Sequence, residues 1–208
     1  MGNKLIIYGA GDTGMQLAHE VNAGKKLRDY QFQGFVDDFK PDSIISFNGF
    51  MLWGNSAVLP LLFKKGFNNI VVSLVKNLQD RLEKFSELEK LGFSFPSIVP
   101  AGLPKNLRIG KGVYIHDSSE FIGDNQVIED YAVIGPFALI EGSSYIGKGS
   151  ILRPYSFLGS HSSLGEASEI GLRSSVLPEV RIGNNCLIGP HVLQHKNLNH
   201  GQKNLRHY

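Results

Sequence analysis

In the second half of the chain, an aliphatic residue recurs at every sixth position. The run begins at Ile122 and continues through twelve hexads without a gap. The next residue is glycine or acidic in ten of these hexads, and the fifth position is small in eleven, with Gln126 the exception. Three columns in register indicate internal repetition. The aliphatic column consists of Ile122, Ile128, Ile134, Ile140, Ile146, Leu152, Leu158, Leu164, Ile170, Val176, Ile182 and Ile188.

This hexad pattern predicts a parallel β-helix. Side chains alternate along a strand, so the small residue and the aliphatic residue two places later point inward together, as Ser156 and Leu158 do. Three hexads form one triangular coil, and coils stack at about 4.8 Å. Ile109 and Ile115 keep the six-residue step but are one residue out of phase, so we expect an irregular first coil from about Lys105.

The N-terminal part has a different pattern. The apolar strand "KLIIY" leads into "GAGDTG", which fits GxGxxG, and a helical stretch follows over residues 13–27. A second strand, "FQGFVDD", ends in Asp37 and Asp38. This order predicts a Rossmann-like α/β half domain in which Gly9 and Gly11 admit a phosphate at a helix N-terminus, while the two carboxylates bind a ribose or base.

About 95 residues precede the repeat. A dinucleotide site is built from two βαβαβ halves, and this length suffices for only one of them, so we expect a mononucleotide to bind. Two alternatives stay open, namely an NAD-binding regulator and a glycine turn that merely joins strand to helix. A strand "NIVVSL" and a helix over 77–91 follow. The predicted domains are a nucleotide-sugar-binding domain (1–95), a linker (96–104), the β-helix (105–193) and a basic tail (194–208).

Composition narrows the function. The net charge of +2 indicates no nucleic-acid or anionic-membrane partner. The single cysteine, Cys186, excludes an internal disulfide, and the N-terminus shows no signal-peptide layout, which together predict a cytoplasmic protein. The tail histidines His191, His195, His200 and His207 match no compact ligand spacing, so we predict no metal site.

The combination of "IIYGAG", "FVDDF" and "VRIGNNCLIG" resembles the bacterial nucleotide-sugar acetyltransferases, a group that includes bacillosamine N-acetyltransferases and NeuD-type sialic acid O-acetyltransferases. The resemblance covers nearly the whole chain. It implies a left-handed β-helix, a homotrimer, and acetyl-CoA as co-substrate in a groove between neighbouring prisms. It also implies a UDP- or CMP-linked sugar held in the N-terminal domain by Gly9, Gly11, Asp37 and Asp38.

A histidine base in the β-helix removes a proton from the sugar amine or hydroxyl in that family. The matching position here is Ser160, and His161 follows it. One coil later lies Glu179, whose carboxylate would orient the imidazole of His161 and support its charge. Pro178 stands where some members have a glycine that offers its N–H to the acyl oxygen. Thr13 replaces the histidine usual in the family's glycine turn.

Three interpretations therefore remain at this point beside the NAD-binding regulator. The chain is an acetyl-CoA-dependent sugar N- or O-acetyltransferase of surface-glycan biosynthesis with His161 and Glu179 as catalytic residues. Alternatively, it is a catalytically degenerate homologue that binds a nucleotide sugar, or an acyltransferase with rearranged catalytic groups and another acyl donor.

Overall fold

The computed structural model describes residues 3–40, 46–73 and 77–205. The chain divides into two compact units, Met1–Pro96 and Ser97–Tyr208. Among the described residues, no helix is long and apolar enough to cross a membrane.

The first unit is built on a three-stranded parallel sheet. Its strands are β1 (Asn3–Tyr8), β2 (Tyr30–Val36) and β5 (Asn69–Val72), in the order β2-β1-β5. Residues 5–8 of the central strand are buried, as the apolar run "LIIY" predicts. A parallel sheet with its first strand in the centre is consistent with the start of the predicted Rossmann-like half domain.

Three α-helices accompany the sheet: α1 (Asp12–Asn22), α2 (Leu59–Lys64) and α3 (Leu78–Lys90). The predicted extent of α1 to residue 27 is wrong, because Gly24 adopts a left-handed φ of 66° just after the helix, a backbone conformation that ends helices. Helix α3 matches its prediction to within one residue, and the side chain of Asn77 caps its N-terminus. The predicted strand "NIVVSL" ends earlier, and its Leu74 lies outside the described residues.

The sequence pattern did not predict the segment between β2 and β5. It contains an antiparallel hairpin, β3 (Ser46–Phe47) and β4 (Phe50–Met51), and a short 3-10 helix over Ser56–Val58 that leads into α2.

The second unit is a parallel β-helix of about five turns with three flat faces. Face A contains β6 (Arg108–Ile109), β9 (Val127–Ile128), β12 (Tyr145–Ile146), β15 (Ser163–Leu164) and β18 (Arg181–Ile182). Face B contains β7 (Tyr114–Ile115), β10 (Val133–Ile134), β13 (Ile151–Leu152), β16 (Glu169–Ile170), β19 (Leu187–Ile188) and β21 (Lys203–Asn204). Face C contains β8 (Glu120–Ile122), β11 (Leu139–Glu141), β14 (Phe157–Leu158), β17 (Ser175–Val176) and β20 (Leu193–Gln194).

The eighteen-residue coil predicted from the hexads is confirmed. Ile134 pairs with Leu152 on face B, and Leu152 pairs with Ile170 one coil later. The aliphatic column from Ile128 to Ile188 is at most 2% exposed and forms the core. The small column is inward as well, and the hydroxyl of Ser168 donates to the carbonyl of Gly183 at 2.8 Å, which satisfies a polar group inside the prism.

Ile122 does not belong to this core, and its prediction as the first inward residue is wrong. Phe121 pairs with Ile140 and packs against the core, whereas Ile122 is 54% exposed. The first coil is one residue longer than the later ones, since Ile109 pairs with Ile128, nineteen residues on. The side-chain amide of Gln126 donates to the carbonyls of residues 122 and 123 at 3.0 and 3.2 Å and so stabilises the enlarged turn.

Both predicted edges of the β-helix also differ from the structure. The segment predicted as a linker enters the second unit, where buried Ile98 bridges to Tyr114. The segment predicted as a tail continues the coil, because Leu198 bridges to Ile182 and β21 pairs with β19. These stretches lack the hexad pattern, so the sequence did not reveal their pairing.

In the sequence pattern, Ile122 and Ile128 belong to the same aliphatic column, but in the structure only Ile128 lies in the core. Replacement of each by alanine should therefore lower the free energy of unfolding by very different amounts. Ile128→Ala removes a fully enclosed side chain and should lower the free energy of unfolding by about 2–5 kcal/mol. Ile122→Ala removes an exposed side chain and should lower it by about 0.5 kcal/mol or less. Urea unfolding followed by circular dichroism measures both, and equal midpoint shifts would contradict the register.

Candidate functional site

The glycine turn between β1 and α1 is the first candidate site. Gly9 has a φ of 103°, which favours glycine. A Cβ on Gly14 would lie 2.0 Å from the carbonyl oxygen of Gly9, so the close approach of helix and strand requires a glycine there. The hydroxyl of Ser73, just after β5, donates to the same carbonyl oxygen at 2.9 Å. The fold itself therefore accounts for Gly9 and Gly14.

Gly11 differs from the other two glycines of the turn. It is exposed, its φ of −81° suits any residue, and a Cβ built on it would meet nothing within 4 Å. It is the N-cap of α1, and no side chain caps that helix end. The helix N-terminus therefore presents backbone N–H groups in open space, an arrangement suited to an anion.

Asp37 lies beside this turn, as predicted, but its carboxylate bonds to the protein itself. The residue is buried, with 7% of its surface exposed. Its Oδ2 accepts the N–H of Ala10 at 2.6 Å, and its Oδ1 accepts the N–H of Phe39 at 2.8 Å. One buried carboxylate thus ties the glycine turn to the backbone after β2.

Asp38 is also held by the protein. Its Oδ1 accepts the N–H of Ser56 at 2.6 Å, the hydroxyl of Tyr8 donates to its Oδ2, and Lys84 Nζ lies 3.7 Å from Oδ2. Burial alone would raise the pKa of Asp38, but the hydrogen bonds from Tyr8 and Ser56 together with Lys84 lower it. Burial and the bond to this carboxylate raise the pKa of Tyr8. Asp38 is therefore a bound carboxylate ion at neutral pH.

Tyr8, Ser56 and Lys84 complete this cluster, and sequence reasoning missed all three. Tyr8 ends the first strand, so its place at the carboxyl edge of the sheet offered a weak signal. Lys84 lies on α3 and Ser56 begins the 3-10 helix, and no motif connects either residue with Asp38.

The second candidate site is a turn of the β-helix. His161 is exposed, has a φ of 56°, and donates its N–H to the carbonyl of Gly142 at 3.1 Å. Glu179 takes the same turn position one coil later and donates its N–H to the carbonyl of Ser160 at 2.9 Å. Their side chains are exposed, and the described residues show no hydrogen bond or ion pair between them.

A carboxylate that the sequence did not indicate lies on the other side of this turn. Glu141 Oε2 accepts the N–H of Ser160 at 2.8 Å. Pro178, one coil later, packs so closely against Gly159 that a Cβ on this glycine would lie 2.5 Å from the proline nitrogen. The residue before His161 is therefore held by an acidic group from the preceding coil.

The other histidines have local partners or exposed positions. His116 Nδ1 lies 2.8 Å from the hydroxyl of Ser118, and His200 Nδ1 accepts the N–H of Asn184 at 2.8 Å. His19 packs edge-on against Phe50. His207 lies outside the described residues. Within the ranges that the structure describes, no group of three or more His, Cys, Asp or Glu side chains could hold a metal ion.

Comparison with known proteins gives matches to solved structures only. No protein-family model matches the chain, and no curated protein does. PerB from Caulobacter crescentus, solved with CoA and GDP-perosamine, matches with a TM-score of 0.82 at 22% identity over 95% of this chain and 91% of its own. A histidine-to-alanine mutant of the GDP-perosamine N-acetyltransferase of the same organism matches with a TM-score of 0.85 at 21% identity, over 98% of this chain and 93% of its own.

The acetyltransferase domain of PglB from Neisseria gonorrhoeae, solved with acetyl coenzyme A, has a TM-score of 0.82 at 21% identity over 98% of this chain and 96% of its own. The chain shares the fold of these proteins along nearly its whole length.

The glycine turn supplies a matched pair of variants. Gly14→Ala should lower the free energy of unfolding by about 3 kcal/mol, because its Cβ would overlap the Gly9 carbonyl. Gly11→Ala should cost less than about 1 kcal/mol, the difference between alanine and glycine as an N-cap. Thermal and urea unfolding compare the two, and a larger loss for Gly11→Ala would contradict this geometry.

Proposed function

We propose that the chain is an acyltransferase that moves the acetyl group of acetyl-CoA to an amine or hydroxyl of a nucleotide-linked sugar. The observation that carries the proposal is the match of both units together to structures solved with CoA, acetyl coenzyme A or GDP-perosamine. The proposal includes a left-handed β-helix, a Rossmann-like N-terminal half domain, a role in surface-glycan biosynthesis and the cytoplasm as the compartment.

The first unit supplies the nucleotide site in this proposal. The N-terminus of α1 binds a phosphate, and Gly11 leaves room for it. Asp37 fixes the shape of the turn through Ala10. Lys84 offsets part of the negative charge of Asp38 at 3.7 Å, although it pairs more closely with Glu87 at 2.7 Å.

The second unit supplies the chemistry. His161 Nδ1 or Nε2 takes the proton of the sugar amine or hydroxyl while that nitrogen or oxygen bonds to the thioester carbonyl carbon. The carbon–sulfur bond then breaks, and the proton passes to the sulfur of the departing CoA. Glu179 stacks one coil from His161 and supports the positive charge of its imidazole.

A specific observation favours a second candidate, a nucleotide-sugar-binding protein without turnover. Ser160 occupies the position of the family's histidine base, and its N–H is bonded to Glu141. His161 occupies a turn position that accepts a histidine without any functional reason.

Replacement of His161 separates these two candidates. The full-length protein would be incubated with acetyl-CoA and UDP-, CMP- and GDP-linked amino sugars, with thiol release followed over time. Loss of the base in His161→Ala should lower kcat by about 10²–10⁴. His191→Ala is the matched control, since His191 is an exposed histidine at the equivalent turn position with a φ of 57°, and its rate should stay unchanged.

Full activity in His161→Ala would remove that residue from the mechanism and leave the acyltransferase in place. Absence of thiol release with every sugar, together with calorimetric binding of a nucleotide sugar, would favour the binding protein.

The proposal also includes a homotrimer, and the outward side chains indicate its contact surface. Face A carries the charged side chains of Arg108 and Arg181. Faces B and C carry more apolar outward residues, Val133, Leu187, Leu139, Phe157 and Leu193, beside the charged Glu169 and Lys203 on face B and Glu120 on face C. At the edge between these two faces, Phe137 and Tyr155 stack with ring centroids 4.8 Å apart and are 53% and 52% exposed. An exposed aromatic edge with apolar residues on the faces beside it is suited to association with further copies.

A charge at this edge should therefore break the assembly. Phe137→Glu should shift the mass measured by light scattering after size-exclusion chromatography from a trimer to the 22.9 kDa monomer, because association would bury the new carboxylate. Tyr145→Glu on face A, where the tyrosine is 39% exposed, should stay trimeric. A monomeric wild type would contradict the trimer itself.

A further inference from the structure

Phe39 is the most exposed large apolar residue among those that the structure describes, with 86% of its surface accessible. It directly follows Asp37 and Asp38 at the carboxyl end of β2. In open parallel α/β sheets, ligands bind outside this edge. A single exposed apolar side chain is ordinary on a protein surface, so exposure alone assigns nothing to Phe39.

The backbone around Phe39 is fixed in relation to the glycine turn. The two oxygens of the Asp37 carboxylate accept the N–H groups of Ala10 and Phe39 at 2.6 and 2.8 Å. Two amides bonded to one carboxylate are close neighbours, so the phosphate-binding turn and the base of the Phe39 side chain lie side by side. On the other side, Lys40 Nζ lies 4.0 Å from the ring centroid of Phe47.

The acidic groups here are already bonded by the protein, with a hydrogen bond to each carboxylate oxygen. Asp37 is buried and accepts two backbone N–H groups. Asp38 accepts from Tyr8 and Ser56 and lies near Lys84. Each oxygen has a second lone pair, but the carboxylate of Asp37 is buried, so the edge of a base would meet only Asp38 here.

We propose that the ring of Phe39 is a stacking platform for the nucleobase of the nucleotide sugar, which the site recognises by its face and not by its edge. The inference rests on the proposed function and specifies how that substrate is held. A phosphate at the N-terminus of α1 and a base on Phe39 occupy two neighbouring features that Asp37 ties together. Because every nucleobase offers a π face, such a site accepts several nucleotides and favours the larger purine ring.

Calorimetric titration of the full-length protein with GDP, UDP and CMP tests the platform. Phe39→Ala should weaken GDP binding by about tenfold or more, the usual effect of removing an aromatic partner from a base. Phe39→Tyr should keep the wild-type affinity, whereas Phe39→Leu should lose about as much as alanine. Leu61→Ala is the matched control, since Leu61 is a 55% exposed apolar residue on α2 and should bind as the wild type does.

In the wild type, GDP should bind more tightly than UDP and CMP, and the two pyrimidine nucleotides should bind equally well, because they share a ring face and differ at the edge. Unchanged GDP affinity in Phe39→Ala, or strong discrimination between UDP and CMP, would overturn the platform while nucleotide binding stands. A wild type that binds none of the three nucleotides and no nucleotide sugar would overturn the proposed function itself.

Discussion

Backbone hydrogen bonds between consecutive coils are the interaction on which the second unit depends. Its strands are two or three residues long, too short to persist without neighbours on both sides. Val133 donates its N–H to the backbone carbonyl of Ser150 at 2.9 Å, and Ile151 donates its N–H to the backbone carbonyl of Ser168 at the same distance. Each coil therefore fixes the register of the next, and a fixed register keeps the aliphatic column inward from one end of the prism to the other.

The same constraint determines the turns. From Ile128 onward, the residue three places after each inward aliphatic one adopts a left-handed φ, as Tyr155, His161 and Glu179 do. This conformation costs a non-glycine residue about 1–2 kcal/mol. It also directs the N–H of that residue to a carbonyl of the preceding coil, as from Tyr155 to Pro136 at 3.0 Å. The bond offsets the cost, so the position accepts many side chains, and chemistry can change there without a change of fold.

Much of the β-helix could be predicted because aliphatic and small side chains recur with a period of six residues. The column of aliphatic residues and the column of small ones specify the length of a coil and which side chains point inward. The irregular parts could not be predicted in this way. At the C-terminal end, side chains replace backbone partners, since Asn197 Oδ1 accepts the N–H of Arg181 and His200 Nδ1 accepts that of Asn184. Such substitutions follow no period. The extra residue of the first coil was visible in the sequence, because Ile109 and Ile115 are one residue out of phase, but no distinctive composition marked its place after Phe121.

The site in the first unit shows a different limit of sequence reasoning. The order of strand, glycine turn, helix, strand and acid placed Asp37 and Asp38 at the correct edge of the sheet. It could not show which donors the carboxylates would meet, because Tyr8, Ser56 and Lys84 are distant in sequence. Backbone conformation explains Gly9 and packing explains Gly14, whereas a Cβ on Gly11 would meet no atom of the described residues within 4 Å. Glycine is a favoured N-cap residue, so Gly11 suits the start of α1, and the open space beside it is where the proposed phosphate would meet the helix N-terminus.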